Sequence, residues 1–215
     1  KELVRLLVPH AGIYQNQFIA VLDQEASGSH IVDFTGLVIT RDNIIGQGDD
    51  YIGQPWFTAG AVRFLAVQLG GMHAVFDMAR AHLLETGRAD NPYQAHRLAQ
   101  MGAAVETGYL WIERLGQAWN AAELQTDGAA SRYLMAGVNG GRLAIEQLAL
   151  QVLTIAEQAI GAAGMIAPHP YERQMRDLRT YLRQPNPDGA AAHFGSSIAS
   201  GDWAPGQRAE DEAAS

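Results

Sequence analysis

The hydrophobic rhythm of the chain changes near residue 55. Before that point short apolar runs alternate with polar breaks: Phe18–Leu22, Ile31–Phe34 and Leu37–Thr40, with Ala26-Ser27-Gly28-Ser29 and Arg41-Asp42-Asn43 as the breaks. Runs of this length and residue type, bounded by turn residues, predict strands of an antiparallel sheet. Three strands do not make a sheet that stands alone, so residues 1–55 are expected to be the end of a β domain packed on something else.

After Pro55 the apolar spacing turns helical and stays so for about 145 residues. It predicts a first helix over Trp56–Glu85, ended by Gly87 and Pro92, and a second over Pro92–Asn120. A third should start after the cap Asp127 and run to Gly161. A shorter one covers Tyr171–Arg183, where Pro185 and Pro187 stop it, and Asp188 is placed to cap a last helix ending at Ser200. A helix of thirty residues spans about 45 Å. The first and third carry few charges on any face, which predicts burial nearly all round, at a bundle centre or a subunit interface.

The expected fold class is therefore mainly α: an antiparallel bundle of long helices over 56–200, preceded by a small antiparallel β remnant and followed by a flexible polar tail over 201–215. Two nearly charge-free helices bring more apolar surface than a monomer of this size leaves open, so a homo-oligomer, dimer or tetramer, is expected.

Composition narrows the partners. With 47% hydrophobic and 18% charged residues the chain belongs with folded globular proteins. Its net charge of −8, with no Lys/Arg cluster, argues against nucleic acid or an anionic membrane as partner. The most apolar long window, Phe57–Ala79, contains Arg63, His73 and Asp77, which argues against a membrane span. Residues Lys1–Pro9 lack a small-residue cleavage site and do not read as a signal peptide. The absence of cysteine removes disulfides, thiolate metal sites and Cys nucleophiles. It is compatible with a reducing cytoplasm, and a cytoplasmic location is the expectation.

Candidate chemistry starts at Gln158-Ala159-Ile160-Gly161-Ala162-Ala163-Gly164. Glycines at a helix end let backbone approach a flat or anionic ligand and leave amide donors free, although they also simply end helices. Among the acids, Glu146 lies four residues after Arg142 and reads as its helical ion-pair partner. Asp77 lies four after His73, and that spacing reads as a hydrogen-bonded core pair before it reads as a base with its orienter. Arg173, Arg176, Arg179 and Arg183 form a basic stripe beside Glu172 and Asp177, either ion-paired or an anion contact. No histidine has metal-ligand spacing, and there is no Walker loop or Gly-x-Ser-x-Gly elbow.

Three stretches resemble the acyl-CoA dehydrogenase family, in that family's order. Val32 to Gly46 resembles the segment that leaves its middle β domain, with Thr40 where Pro is usual. Gly70-Gly71-Met72-His73-Ala74-Val75-Phe76-Asp77-Met78-Ala79 resembles the helix that opens its C-terminal bundle. Gln158 to Gly164, followed by Glu172-Arg173 and Arg176-Asp177, resembles "Q..GG.G" followed by "ER..RD". The resemblance implies a flavoprotein with FAD as cofactor and an acyl-CoA-like substrate. It implies that Gln158, Ala159, Ile160, Gly161 and Ala162 contact the adenosine-pyrophosphate part of FAD held by a neighbouring subunit. It also implies that only the last strands and the bundle of the three-part architecture are present, so a complete flavin pocket draws on further polypeptide.

Two departures weigh on catalysis. Leu83 and Thr86 stand where the family has the Arg and Phe of "R..FG.P", leaving Arg88 as the nearby candidate for the cofactor pyrophosphate. α,β-Dehydrogenation needs a carboxylate beside the flavin. The family's two positions for that glutamate fall on Pro185 and Gly60, and the nearest carboxylate to the first is Asp188. Three functions follow: an acyl-CoA dehydrogenase-like oxidoreductase acting on CH–CH of an acyl thioester, a non-catalytic oligomerisation subunit, and a flavin monooxygenase of the same fold.

Overall fold

The computed structural model describes residues 35–124, 128–183 and 186–207, together with three strand segments nearer the start of the chain. Strand β1 (Leu3–Val4) pairs antiparallel with β4 (Ile44–Ile45), and β2 (Ile13–Tyr14) with β3 (Ile31–Val32). The pairing of β1 with β4 brings in residues that the apolar runs did not single out. The expected strand Leu37–Thr40 is corrected: these residues form no regular element, and Val38 is 85% exposed. β propensity without a pairing partner does not hold a strand. The expected turn follows them, with Thr40 and Asn43 capping a single 3-10 turn over Arg41–Asn43. The run Phe18–Leu22 lies outside the described residues.

The helical part is α1 (Trp56–Ala59), α2 (Val62–Glu85), α3 (Pro92–Leu124), α4 (Gly128–Ile160), α5 (Pro170–Leu182) and α6 (Pro187–Ser200). The first expected helix is thus broken at Gly60-Ala61. The second runs four residues beyond Asn120. The cap expected at Asp127 lies outside the described residues. Asp188 does not cap α6. Asn186 does, its side-chain oxygen accepting from the Gly189 amide at 3.1 Å.

Side-chain contacts fix the directions. Leu69, Met72 and Ile145 meet around Gly108, and Leu65 and Leu115 meet around Gly141, so α3 runs antiparallel to both α2 and α4. Leu178 rests on Gly71, and Gln68 Nε2 donates to the Tyr181 carbonyl, which sets α5 antiparallel to α2. Helix α4 is the centre, with sixteen buried residues against seven each on α2 and α3. Both Trp56–Glu85 and Gly128–Ile160 are long and apolar enough to cross a membrane by length and composition. In this fold both serve as members of the bundle.

The start of the expected loose tail is instead packed. Trp203 is 3% exposed and stacks on Tyr133 at 4.6 Å between centroids, with the Arg114 guanidinium 4.0 Å over its ring. Arg114 also donates to the Tyr133 hydroxyl and the Gln207 carbonyl. The reason is space: Gly137 and Gly140 leave the α4 surface flat where Trp203 and Phe194 arrive.

Candidate functional site

A cleft of about 1260 Å³ opens at the α1 end of the bundle. Its near wall is aromatic, from Tyr51, Trp56, Phe57 and Phe64. All four rings are at least 42% exposed, an unusual concentration of uncovered aromatic surface. Tyr51 and Phe57 meet edge to face at 5.8 Å, and Trp56 leans on Trp119 of α3 at 5.3 Å. The far wall is polar: Arg132, Asn139 and Arg142 from α4 and His193, Ser196 and Ser197 from α6.

Two carboxylates line this cleft among the described residues, and both are engaged. Asp50 accepts from the Gln47 amide at 2.7 Å. Asp202 accepts from the Ser200 hydroxyl at 2.6 Å and from Arg132 at 2.9 Å. The serine hydrogen bond first, then Arg132, hold its pKa below the ordinary carboxylate value. A carboxylate so stabilised as an anion is a weak proton acceptor. Partial burial lowers the pKa of Arg142, against the opposing pull of Glu146.

The structure separates the sequence-derived candidates into two ends. Gln158, Ala159, Ile160, Gly161 and Ala162 sit at the C-terminal end of α4, with Gln158 and Ala162 exposed and Ala159 and Ile160 buried. Gly161 has φ 86° and ψ −169°, a conformation essentially restricted to glycine, and a Cβ there would meet nothing within 4 Å. The turn demands glycine for its own backbone and also leaves an open approach. Arg88 lies at this same end, its Nε donating to Thr86 Oγ1 at 3.1 Å. His82 of α2, whose pKa is lowered first by burial and then by Arg88, meets His169 before α5 at 3.4 Å, which ties the two regions together. Leu83 is fully buried, so core packing accounts for it.

Gly60 lines the cleft at the opposite end, while Asp188 does not line it and is 89% exposed and bonded to Arg183 at 3.3 Å. From Arg142, the cleft residue of α4 nearest the glycine turn, to Gly161 is nineteen residues, roughly 28 Å along the axis.

Other candidates resolve into structure. The arginine stripe is ion-paired: Arg173 to Asp177, Arg176 to Glu172, Arg179 to Glu157, and Arg183 to Glu146. Glu146 therefore has a partner just after α5 that helical spacing could not reveal. His73 and Asp77 are a surface pair at 3.7 Å rather than a core pair, and His73 Nδ1 bonds instead to the Tyr109 hydroxyl at 2.8 Å. Among the described residues no group of three potential metal ligands exists.

Sequence reasoning missed Asp202, Arg132 and the aromatic wall. The clustering of Tyr51, Trp56, Phe57 and Phe64 within fourteen residues was the available signal for the wall. Asp202 had none, because its place depends on where Trp203 docks.

Comparison with known proteins places this arrangement. Residues 46–182 match the profile of the acyl-CoA dehydrogenase C-terminal domain. The chain belongs to the acyl-CoA dehydrogenase family and carries its C-terminal helical domain. It is 27% identical over 161 residues to the short-chain specific acyl-CoA dehydrogenase of Clostridium acetobutylicum, an alignment covering 72% of this chain and 40% of that protein. It is also similar to KijD3, solved in complex with FMN and dTDP-3-amino-2,3,6-trideoxy-4-keto-3-methyl-D-glucose. That match has a TM-score of 0.55 and 26% identity, and it covers 81% of this chain and 45% of KijD3. The chain spans less than half the length of both relatives.

Proposed function

We propose that this chain is the C-terminal part of a flavin-dependent oxidoreductase whose substrate enters the α1–α4–α6 cleft, and that its reaction is an oxygen-dependent, monooxygenase-type oxidation. Bound flavin would supply the two-electron redox chemistry. The chain's own residues fit such a group at both ends of the bundle. At one end, the Gly161 turn, with open space above the glycine, allows close backbone approach, and Arg88 offers a cation to a pyrophosphate. At the other, the uncovered aromatic wall offers flat surface to a ring or substrate. The 28 Å estimated between them exceeds one extended dinucleotide, so FAD serving both would be shared between two copies of the chain. That requirement, with the apolar outer face of α2, supports a dimer or tetramer.

The observation that carries the monooxygenase reading over acyl-CoA dehydrogenation is the state of the base positions. Gly60 presents no side chain to the cleft, Pro185 has no ionisable group, and Asp188 is solvated and ion-paired. Of the two carboxylates that line the cleft, Asp50 accepts from the Gln47 amide, and Asp202 is held ionised by Ser200 and Arg132. Oxygenation, for which reduced flavin would supply two electrons and O2 the oxygen, one atom going to the substrate and the other leaving as water, needs no base to remove an α-proton.

The test uses the full-length parent protein with flavin. Reduced flavin and oxygen should give coupled oxygen consumption with a productive substrate, while dye reduction by short, medium and branched acyl-CoAs should fall about 10²- to 10⁴-fold below ordinary rates for want of a general base. Acyl-CoA turnover at ordinary rates would return the protein to the dehydrogenases. Gly161→Val should lower flavin occupancy, and unchanged flavin absorbance would remove that turn from the cofactor site.

A further inference from the structure

The cleft carries positive charge within an acidic protein. Arg63, Arg132 and Arg142 line it against Asp50 and Asp202, while the whole chain has a net charge of −8. The three cations are not equivalent. Arg132 is engaged by Asp202 at 2.9 Å, and Arg142 lies in the field of Glu146. Arg63 has no ion pair or hydrogen bond among the described residues.

Local geometry holds Arg63 over the cleft. It is the second residue of α2, and its guanidinium folds back over Gly60: a Cβ added there would lie 3.4 Å from Arg63 Nη2. Gly60 therefore leaves the room that the guanidinium uses. Arg63 is exposed in the open cleft, and Trp56, Phe57 and Phe64 line the same wall. A guanidinium with no ion pair or hydrogen bond among the described residues matches the two oxygens of a carboxylate or phosphate.

We propose that Arg63 is the specificity residue of this cleft, binding an oxyanion group, carboxylate or phosphate, carried by the substrate. The proposal rests on the reading of the cleft as the substrate site. It assigns Arg63 to binding the anion and gives it no part in proton transfer.

The experiment is a fluorescence titration of the full-length, flavin-loaded protein at low ionic strength, with inorganic pyrophosphate and, separately, glutarate as probes. Saturable binding of one probe is expected, and which one identifies the group as phosphate or carboxylate. Arg63→Gln should weaken it about 10- to 100-fold, as expected for loss of a charge-assisted pair. Arg63→Lys should fall between, because it keeps the charge and loses the fork. Arg80→Gln, exposed on α2 away from the cleft, should match wild type. Equal thermal melts would show that the variants fold, and Arg63→Lys serves should Arg63→Gln fail to fold. Binding of neither probe, or equal affinity in wild type and a folded Arg63 variant, overturns the proposal. Flavin absorbance is read on the same samples. Loss of Arg63 dependence with flavin bound refutes this inference alone, and Arg63-dependent binding in a protein that takes no flavin refutes the flavoenzyme reading alone.

Discussion

Helices α2 and α4 have equal apolar character but different surroundings. The stretches that contain them have the same mean hydropathy in their most apolar windows, yet 33% of the first window is buried and 50% of the second. Helix α4 packs against α2, α3 and α6 and leaves one exposed stripe, Gln147, Leu150, Gln151, Thr154 and Gln158. Its small residues are where neighbours enter: Phe194 comes within 2.6 Å of where a Gly140 Cβ would stand, and Trp203 within 2.9 Å of that at Gly137. On α2 one face packs through Leu65, Leu69, Met72, Val75 and Ala79, while Val67 is 60% exposed and Gly70 meets nothing within 4 Å. The all-round burial expected for both helices holds for neither within one chain: α4 buries sixteen of its 33 residues, and α2 seven of its 24. The difference teaches that low charge marks a helix for coverage without saying what covers it.

The largest effect should come from uncovering α4. Trp203→Ala removes a buried ring from the Tyr133–Trp111–Phe194 cluster and strands Arg114, and it should cost about 3–5 kcal/mol in urea denaturation. Val67→Ala, on the open face of α2, should stay within about 0.5 kcal/mol of wild type. A comparable loss at Val67 would mean that α2 is as covered in solution as α4.

Glycine-to-alanine changes sharpen the same contrast with opposite signs. Gly140→Ala places a methyl against Phe194 and should destabilise by about 1–3 kcal/mol. Gly70→Ala enters open space within a helix and should stabilise by about 0.5–1 kcal/mol, because alanine loses less backbone entropy. A loss at Gly70 would place a second copy's surface within van der Waals reach of that position, and light scattering would then report the oligomer.

The smallest effects are on pH dependence. Asp202 is held below its ordinary pKa, so its contribution is complete above the ordinary carboxylate range and disappears as pH falls through it. Asp202→Asn should flatten that part of the acid limb of stability. His82 is also lowered, first by burial and then by Arg88 and His169, so the stability linked to its neutral form is present above about 6.5 and is lost as pH falls below that value. His82→Gln should remove this second, milder slope, and an unchanged profile would detach it from the His82–His169 contact.

Much of the bundle was legible because helical signals are local. The Gly87 and Pro92 breaks and the long apolar repeat of α4 each act within a few residues, and the structure follows them closely. Local signals failed where a nearby alternative existed. Asn186, two residues before Asp188, took the cap of α6. The break at Gly60-Ala61 interrupts a run whose apolar spacing gives no warning of it. The candidate site was half legible: the glycine turn was visible as a motif, whereas the cleft joins residues from 50 to 202 that share no pattern along the chain.

What the sequence determined by itself was therefore the helical class, the family, and the absence of an ionisable group at Pro185 and Gly60, since these depend on residue identity and short-range spacing. Tertiary structure alone decided that Asp202 would sit in the cleft tethered to Arg132 and that Glu146 would pair with Arg183. Those outcomes depend on how α5, α6 and the Trp203 segment dock on α4. Docking is set by the shape of surfaces brought together from distant parts of the chain, which no local periodicity encodes.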